Sequence, residues 1–320
     1  MLARLVLAAA AVLTVATPAA DPPRPIAKGV WLIPGGMLAG RQPDGNSIVF
    51  DAPDGLIVMD TGRHRWQRDA ILDFAKASGK PIAAIVNSHW HLDHVSGNPA
   101  LRAAYPGLKV YASNAIDAAL TGFLARSAAE AKPYLDSGKL PPDTAEDVRG
   151  DLATFENGAA LRPDIVVDRS AARTIAGEVL MVNLAPDAAT AGDVWVYDSA
   201  ARVAAVGDLV TLPAPFLDTA CPQGWSRALA RIARTPFRIL LPGHGGPMTR
   251  AQFATYRQAF DGFIACAASP RDAAVCAADW TKSVAALPGA GPEKQAQGMA
   301  LYYVKDVLRA HGGKSAECRA

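Results

Sequence analysis

Three histidines and one aspartate lie within six consecutive positions of this sequence, in the segment Ser88-His89-Trp90-His91-Leu92-Asp93-His94. Imidazole nitrogen is a strong zinc ligand, and a carboxylate supplies a harder oxygen donor. His89 and His91 are spaced to share one metal ion, and Asp93 and His94 follow closely enough to serve a second. The alternative is a solvated loop rich in histidine. We disfavour it because three of the six histidines in the chain fall in this one segment.

The flanking residues predict how this segment is held. Residues 82–86 form an apolar run, partly β-branched, that is typical of a buried strand, and Gly97-Asn98-Pro99 opens a short helical stretch. The cluster is therefore predicted on a strand-to-helix loop, where a rigid sheet presents side chains to a ligand.

The pattern H-x-H-x-D-H after a strand resembles the metallo-β-lactamase superfamily, which includes glyoxalase II-like thioesterases, lactonases and other metal-dependent hydrolases. The resemblance implies an α/β fold, an αββα sandwich. It also implies that Asp93 orients the nucleophile in catalysis as well as binding metal.

Two later segments carry further residues of this family pattern, and each follows a predicted strand. Val206-Gly207-Asp208 offers Asp208, which the resemblance implies bridges two metals, and Pro242-Gly243-His244 offers His244 for the second metal. Alone, either residue is compatible with an ordinary turn. Asp60, after another strand, is implied to orient a ligand imidazole from outside the ligand set, although alone it is more typical of a turn or a helix cap. The predicted metal ligands are His89, His91, Asp93, His94, Asp208 and His244.

The chain departs from the family pattern at Ala189. The family often has a His-Thr-x-Gly-Asp run, and here the corresponding residues 189–193 read Ala-Thr-Ala-Gly-Asp. Alanine has no donor atom, so the first metal position keeps only the imidazoles of His89 and His91. Catalytic zinc normally takes three protein ligands. We therefore expect about one metal ion bound tightly, in the second position, unless Asp187 or His64 replaces the missing ligand.

The first 20 residues predict a secretory signal peptide. One arginine precedes a mostly apolar run from Leu5 to Ala16, which is too short to span a bilayer, and small residues follow it. An uncleaved anchor is the alternative. Export to the periplasm or the exterior is therefore expected. With 32 basic and 30 acidic residues, the chain has no electrostatic footprint for nucleic acid.

Four cysteines, an even number in a chain predicted to be exported, allow disulfide bonds. Cys266 and Cys276 flank a short turn and are the preferred pair, which leaves Cys221 with Cys318. The other two connectivities remain open from sequence alone. None of the four lies in a C-x-x-C pair, which disfavours a thiolate zinc site.

Two blocks of predicted strands, each followed by helices, indicate two packed sheets with helices outside. Residues 21–320 are expected to form one domain. About residues 114–155 the composition changes to alanine and charged residues at helical spacing, which predicts a helical insertion that is either a lid or a packed outer layer. Helices are also expected over about 271–310. Phe216 and Trp225 are expected in the core, with a pocket wall as the alternative.

The sequence thus predicts an exported hydrolase that acts on a small-molecule carbonyl substrate (a β-lactam, lactone or thioester) through metal-bound hydroxide. Zinc is the expected cofactor, as one or two ions, and iron is possible. No stable membrane anchor is expected. The alternatives are a binding protein of the same fold with weakened catalysis, which the missing histidine favours, and an iron-dependent oxidoreductase.

Overall fold

The computed structural model describes residues 20–38 and 40–318. The predicted signal peptide therefore lies almost entirely outside the described residues and stays a prediction. Within the described part of the chain, no helix is long and apolar enough to cross a membrane.

The first sheet has seven strands in the order β1 to β7. The pairs from β1 to β4 are antiparallel, and those from β4 to β7 are parallel. The strands are β1 (Arg24–Ala27), β2 (Val30–Ile33), β3 (Ser47–Ala52), β4 (Gly55–Met59), β5 (Ile82–Val86), β6 (Lys109–Ala112) and β7 (Ile165–Val166).

The second sheet has six strands in the order β13-β12-β11-β10-β9-β8. They are β8 (Ala171–Ile175), β9 (Glu178–Pro186), β10 (Gly192–Asp198), β11 (Val203–Ala205), β12 (Ile239–Leu241) and β13 (Met248–Thr249). Only the β11–β12 pair is parallel; Asp208 follows β11 in its crossover, and His244 follows β12.

Over residues 20–38 and 40–318, ten α-helices flank the two sheets. They are α1 (Arg65–Ser78), α2 (Leu92–Val95), α3 (Asn98–Ala104), α4 (Ala115–Thr121), α5 (Phe123–Asp136), α6 (Pro142–Glu156), α7 (Pro222–Arg234), α8 (Arg250–Ala267), α9 (Ala273–Val284) and α10 (Glu293–Tyr302). A π-helical segment, Tyr303–Arg309, continues α10. Helices α4 to α6 form the predicted insertion, and α9 and α10 belong to the predicted helical C-terminal region.

Apolar side chains of the two sheets pack face to face in one buried cluster that includes Ile57, Val86 and Val196. A second cluster lies between the first sheet and α1, and a larger one lies between the second sheet and the C-terminal helices. Both faces of each sheet are thus covered, which explains the nearly continuous apolar runs of the strands. The αββα sandwich predicted from the sequence is confirmed.

Two disulfides join Cys221 to Cys318 and Cys266 to Cys276. The preferred connectivity is therefore confirmed. The first bond ties the end of the C-terminal region to the loop before α7. The second closes the turn between α8 and α9.

Candidate metal centre

The loop after β5 presents its ligands in two different backbone conformations. His89 and His91 precede α2, and the backbone of His91 is extended. Asp93 and His94 lie in the first turn of α2. All four side chains are buried. The predicted strand-to-helix loop is confirmed, and the change of backbone at residue 92 directs the two pairs to neighbouring places.

The first group comprises His89, His91 and Asp208, whose donor atoms lie within 4.8 Å of one another. Nε2 of His89 is 2.8 Å from Nδ1 of His91 and 3.8 Å from Oδ2 of Asp208. Burial is the largest influence on both imidazoles. It lowers the pKa of His91 to about 4 and that of His89 well below its usual range. Both rings are therefore neutral at pH 7, the state that binds a metal ion.

The second group comprises Asp93, His94 and His244, again within 4.8 Å of one another. Nε2 of His244 is 2.9 Å from Oδ2 of Asp93, and Nε2 of His94 is 3.5 Å from the same oxygen. Burial alone would raise the pKa of Asp93. The charges of His94 and His244 outweigh it and hold this pKa well below its usual range.

Asp208 lies between the two groups. Its Oδ1 is 3.2 Å from Nε2 of His94 and 3.6 Å from Nε2 of His244, whereas Oδ2 is the atom nearest His89. Such an arrangement suits a carboxylate shared by two metal ions. Gly243 makes it possible, because a Cβ at that position would lie 2.0 Å from Oδ1 of Asp208.

The polar atoms at the centre fit a metal site. Nε2 of His94 and Oδ1 of Asp208 are buried and have no hydrogen-bond partner among the described residues. Leaving such atoms unpaired costs roughly 1–3 kcal/mol each, and more where the group is charged. Imidazole nitrogens and carboxylate oxygens are the donor types that divalent zinc and iron prefer, and both groups consist of them.

Asp60 organises both groups from behind. Its Oδ2 accepts hydrogen bonds from Ser88 Oγ (2.6 Å) and from Nδ1 of His94 (2.9 Å). Ser88 Oγ donates its only proton to Asp60. At its 2.8 Å contact with His89, the hydroxyl oxygen therefore accepts a hydrogen bond from Nδ1–H of that ring. Nε2 of both His89 and His94 is thereby left free as a ligand atom. The role implied for Asp60 agrees with this geometry.

A cleft of about 430 Å³ opens over the two groups. Most of its wall is apolar, and its floor carries His91, Asp93, Asp208 and His244. The apolar wall comes from the metal loop, the insertion, the segment after Asp208 and the C-terminal region, with Trp90, Phe123, Leu124, Leu212, Phe216, Met299 and Tyr303 among its residues.

Two arginines also border the cleft. Arg63 donates from Nη1 to Asp151 of α6 (2.5 Å), and its Nη2 is 3.9 Å from Oδ1 of Asp93. Arg41 pairs with Asp147 of the same helix (2.6 Å). Phe216, expected mainly in the core, lines the cleft instead, whereas Trp225 is buried in the core as expected.

Neither proposed substitute for the missing histidine joins the two groups in the described residues. His64 lies between Asp44 and Asp147, with ring nitrogens 2.7 and 3.0 Å from their carboxylate oxygens. Asp187 faces a different, smaller cavity. Ala189 is buried, and its carbonyl accepts a hydrogen bond from Thr219. Sequence reasoning missed Thr219, which also contacts His91. A single threonine 30 positions from Ala189 carries no local signal that would reveal it.

Known proteins share parts of this chain. A curated linear primary-alkylsulfatase from Pseudomonas sp. (strain ATCC 19151) is 48% identical over 50 residues. A hydroxyacylglutathione hydrolase from Gloeobacter violaceus is 34% identical over 85 residues. These alignments cover 15% and 27% of this chain but only 10% and 26% of the two relatives.

Solved structures share the fold. A metallo-beta-lactamase from Pontibacter korlensis has a TM-score of 0.54 at 20% identity, over 75% of this chain and 99% of that one. The stereoselective inverting sec-alkylsulfatase Pisa1 from Pseudomonas sp. has a TM-score of 0.61 at 18% identity, over 89% of this chain and 50% of that one. The sequence profile of the metallo-beta-lactamase superfamily matches residues 40–246, more than half of the sequence. The chain belongs to the metallo-beta-lactamase superfamily.

Proposed function

We propose that this protein is an exported metal-dependent hydrolase that cleaves a small substrate with an apolar side at an activated carbonyl, as in an ester, thioester, lactone or β-lactam. One observation carries the proposal. Two groups of metal donors, with unpartnered His94 Nε2 and Asp208 Oδ1 between them, form the floor of an apolar cleft. The two disulfides support export, because such bonds persist mainly in oxidising compartments.

The proposed metal ligands are His89, His91 and Asp208 for one ion and Asp93, His94 and His244 for the other, with Asp208 shared. When bound, zinc polarises a carbonyl and lowers the pKa of water toward about 7. The same donors also suit iron, so the test below determines which metal is bound.

The cleft supports binding by burial of apolar surface. Its volume is within the range of ligand pockets, which are lined mainly by apolar side chains around a few polar groups. Phe123 and Leu124 of the insertion line it together with Phe216 and Met299. These walls exclude water from the apolar part of the substrate and hold its reactive group over the donors.

Asp93 is the proposed catalytic residue on the floor. The pKa of its carboxyl lies well below the usual range, so the carboxylate is ionised, and Arg63 adds positive charge 3.9 Å from Oδ1. An ionised carboxylate there accepts a hydrogen bond from the attacking water molecule and directs its oxygen toward the substrate. Asp151 already pairs with Arg63.

Hydrolysis of an alkyl sulfate ester is the second candidate. The structural similarity to Pisa1 covers 89% of this chain, so it includes parts outside residues 40–246. The apolar cleft is suited to an alkyl group as well as to an acyl group.

The test is metal analysis of the full chain purified without added metal, followed by hydrolysis assays. The substrates are esters, thioesters, lactones, a β-lactam and primary alkyl sulfates, each with short and long apolar groups. We expect at least one equivalent of zinc and faster cleavage of the longer members of one class. His94→Ala should lose metal and activity together, because Nε2 of this residue is one of the three donors of the second group.

His311→Ala is the matched control, since this histidine is exposed on the C-terminal region and its Nδ1 contacts only the carbonyl of Val307. It should keep both metal and activity. A folded, metal-free and inactive wild type would favour the binding-protein alternative. Stoichiometric iron with oxidation instead of hydrolysis would favour the oxidoreductase.

A further inference from the structure

The hydroxyl of Thr219 lies at the place where the first metal position borders Ala189. Thr219 is buried, with Oγ1 2.8 Å from the carbonyl oxygen of Ala189 and 3.0 Å from Nε2 of His91. It is outside the donor groups and was not singled out by the family pattern. The question is what its hydroxyl does to the imidazole.

The direction of these two hydrogen bonds is fixed by the chemistry of their atoms. A carbonyl oxygen only accepts, so the single proton of the hydroxyl is donated to Ala189. The contact with His91 must then be donated by Nε2–H of the ring. A neutral imidazole has one N–H, and Nδ1 of His91 is therefore the atom that carries the free lone pair.

Nδ1 of His91 lies 2.8 Å from Nε2 of His89, which the Ser88–Asp60 pair also leaves without a proton. Two lone pairs facing each other at this distance repel unless a cation lies between them or close by. The two hydroxyls, from Ser88 and Thr219, thus act on opposite sides of the first metal position. Each selects the tautomer that makes its histidine a ligand.

Neighbouring backbone contacts hold Thr219 in place. The amide of Cys221 donates to the carbonyl of Ala188 (2.8 Å), which ties the loop before α7 to the turn that contains Ala189. The amide of Ser315 donates to the carbonyl of Ala220 (3.2 Å). The Cys221–Cys318 disulfide links the same two segments covalently.

We propose that Thr219 is a positioning residue for the first metal position: it fixes His91 as the Nε2–H tautomer and so presents Nδ1 as a ligand in a chain that lacks the histidine at position 189. The inference rests on the metal centre of the proposed function but not on its substrate. In this proposal the contacts of Thr219, and not a third histidine, prepare the first metal position.

The test compares Thr219→Val, which removes the hydroxyl at nearly constant shape, with Thr219→Ser, which keeps it. Zn²⁺ affinity is measured by competition with a chromophoric chelator, and the tautomer of His91 is read from the ¹⁵N shifts of labelled histidine. Losing an outer hydrogen bond to a ligand histidine typically lowers metal affinity about 10–100-fold. We expect that loss for the valine variant in the weaker of the two binding steps, and recovery to within about threefold for serine.

Thr281→Val is the matched control, because this buried threonine donates to the carbonyl of Ala277 within α9, away from the site. It should leave Zn²⁺ affinity and the histidine shifts unchanged. The proposal is overturned if wild-type His91 carries its proton on Nδ1, or if Thr219→Val binds Zn²⁺ as tightly as the wild type. The shifts are measurable in protein without metal. Absence of hydrolytic activity, in turn, would count against the proposed function alone.

Discussion

A single carboxylate, that of Asp60, acts on both halves of the metal centre, on His94 directly and on His89 through Ser88. The residue follows β4 with φ of 62°, a left-handed conformation that costs a non-glycine residue roughly 1–3 kcal/mol and recurs at functional sites. In this conformation Oδ1 accepts the amide of Ser88, and Oδ2 accepts both Ser88 Oγ and His94 Nδ1. Backbone strain at one residue is therefore offset by ordering donors for two ions.

Asp60→Asn is expected to weaken both metal positions. The amide loses the charge, and it retains only one oxygen where three donors now bind. We expect Zn²⁺ affinity to fall about 10–100-fold in both binding steps of a chelator titration. Asp198→Asn is the control, because Asp198 is also buried but accepts only the amides of a remote turn. A loss confined to one step would contradict the shared role.

His64 predicts a pH dependence of stability. Burial alone would lower its pKa, but the hydrogen bonds and charges of Asp44 and Asp147 raise the pKa above its ordinary value of 6.5. The folded protein then binds a proton more tightly than the unfolded chain. The stabilisation is complete below about pH 6.5 and is lost as the pH rises through the higher folded-state pKa.

His64→Gln should remove this dependence. Between pH 6 and pH 9 the free energy of unfolding of the wild type should fall relative to the variant, with a slope of at most about 1.4 kcal/mol per pH unit for one proton. Denaturant titrations at several pH values measure it. Parallel curves for the two proteins would show that His64 does not exchange this proton.

At this scale the sequence motifs predicted the six donors that the structure brings together, because closely spaced histidines and aspartates have few other uses. The motifs also located the gap at Ala189. They did not reveal Thr219, whose role depends on a hydroxyl brought from a distant loop. Nor did they reveal that Asp44 and Asp147 hold His64, since charge pairs across a fold leave no periodic signal.

Among the elements, α6 is distinguished by the acidic residues that it turns toward the site. These acidic residues follow helical spacing and form ion pairs with residues of two loops. Arg41 pairs with Asp143, Glu146 and Asp147. Asp147 also pairs with His64, and Asp151 pairs with Arg63. Helix α6 thereby closes one side of the cleft by ion pairs, while α5 contributes apolar side chains. That residues 114–155 act as a lid stays a prediction, with a packed outer layer as the alternative.

Asp147→Asn is expected to destabilise the protein strongly. Its carboxylate is fully buried and accepts from Arg41, His64 and the amide of Gln42. Breaking a buried ion pair from one side costs about 3–5 kcal/mol. Asp143→Asn, on the same helix with a side chain that is 69% exposed, should change stability by about 1 kcal/mol or less. Equal effects in chemical denaturation would refute the distinction.

The elements that the sequence predicted best are long or strongly apolar. The bounds of β5 agree with the apolar run at residues 82–86, because that run is continuous and partly β-branched. Strands β1, β8 and β13 have no comparable apolar run. β8 reads Ala-Ala-Arg-Thr-Ile at the edge of its sheet, and β13 has two residues. Such strands are defined by their partners rather than by their own composition.

In the whole molecule, distant parts of the chain meet at the cleft. The insertion supplies Phe123 and Leu124, and the C-terminal region supplies Met299 and Tyr303. Burial raises the pKa of Tyr303 well above its usual range, so that its phenol stays protonated as a hydrogen-bond donor at neutral pH. The insertion is also held by the ion pairs of α6 with Arg41 and Arg63. The C-terminal region is also tied by the disulfide to Cys221.

Removing this disulfide should destabilise the protein more than removing the other. The Cys221–Cys318 bond closes a segment of 97 positions, and the Cys266–Cys276 bond closes one of 10. Loop-closure entropy predicts about 4.7 kcal/mol for a 100-residue loop and about 3 kcal/mol for a 15-residue loop. Paired Cys→Ser variants of each bond, compared by denaturant unfolding, test the order. A larger loss for the short loop would contradict it.

The position of Cys318 also has a consequence for the order in which the protein matures. The six donors and Thr219 all precede Cys318 in the chain, so a growing polypeptide contains every donor before the cysteine that secures the Thr219 loop has been made. The metal donors are then present in the chain before the disulfide that holds the Thr219 loop can form. The second metal position is expected to fill as soon as the two sheets pack. The first should reach its final affinity only after the disulfide has formed, which would make oxidation the last step of assembly.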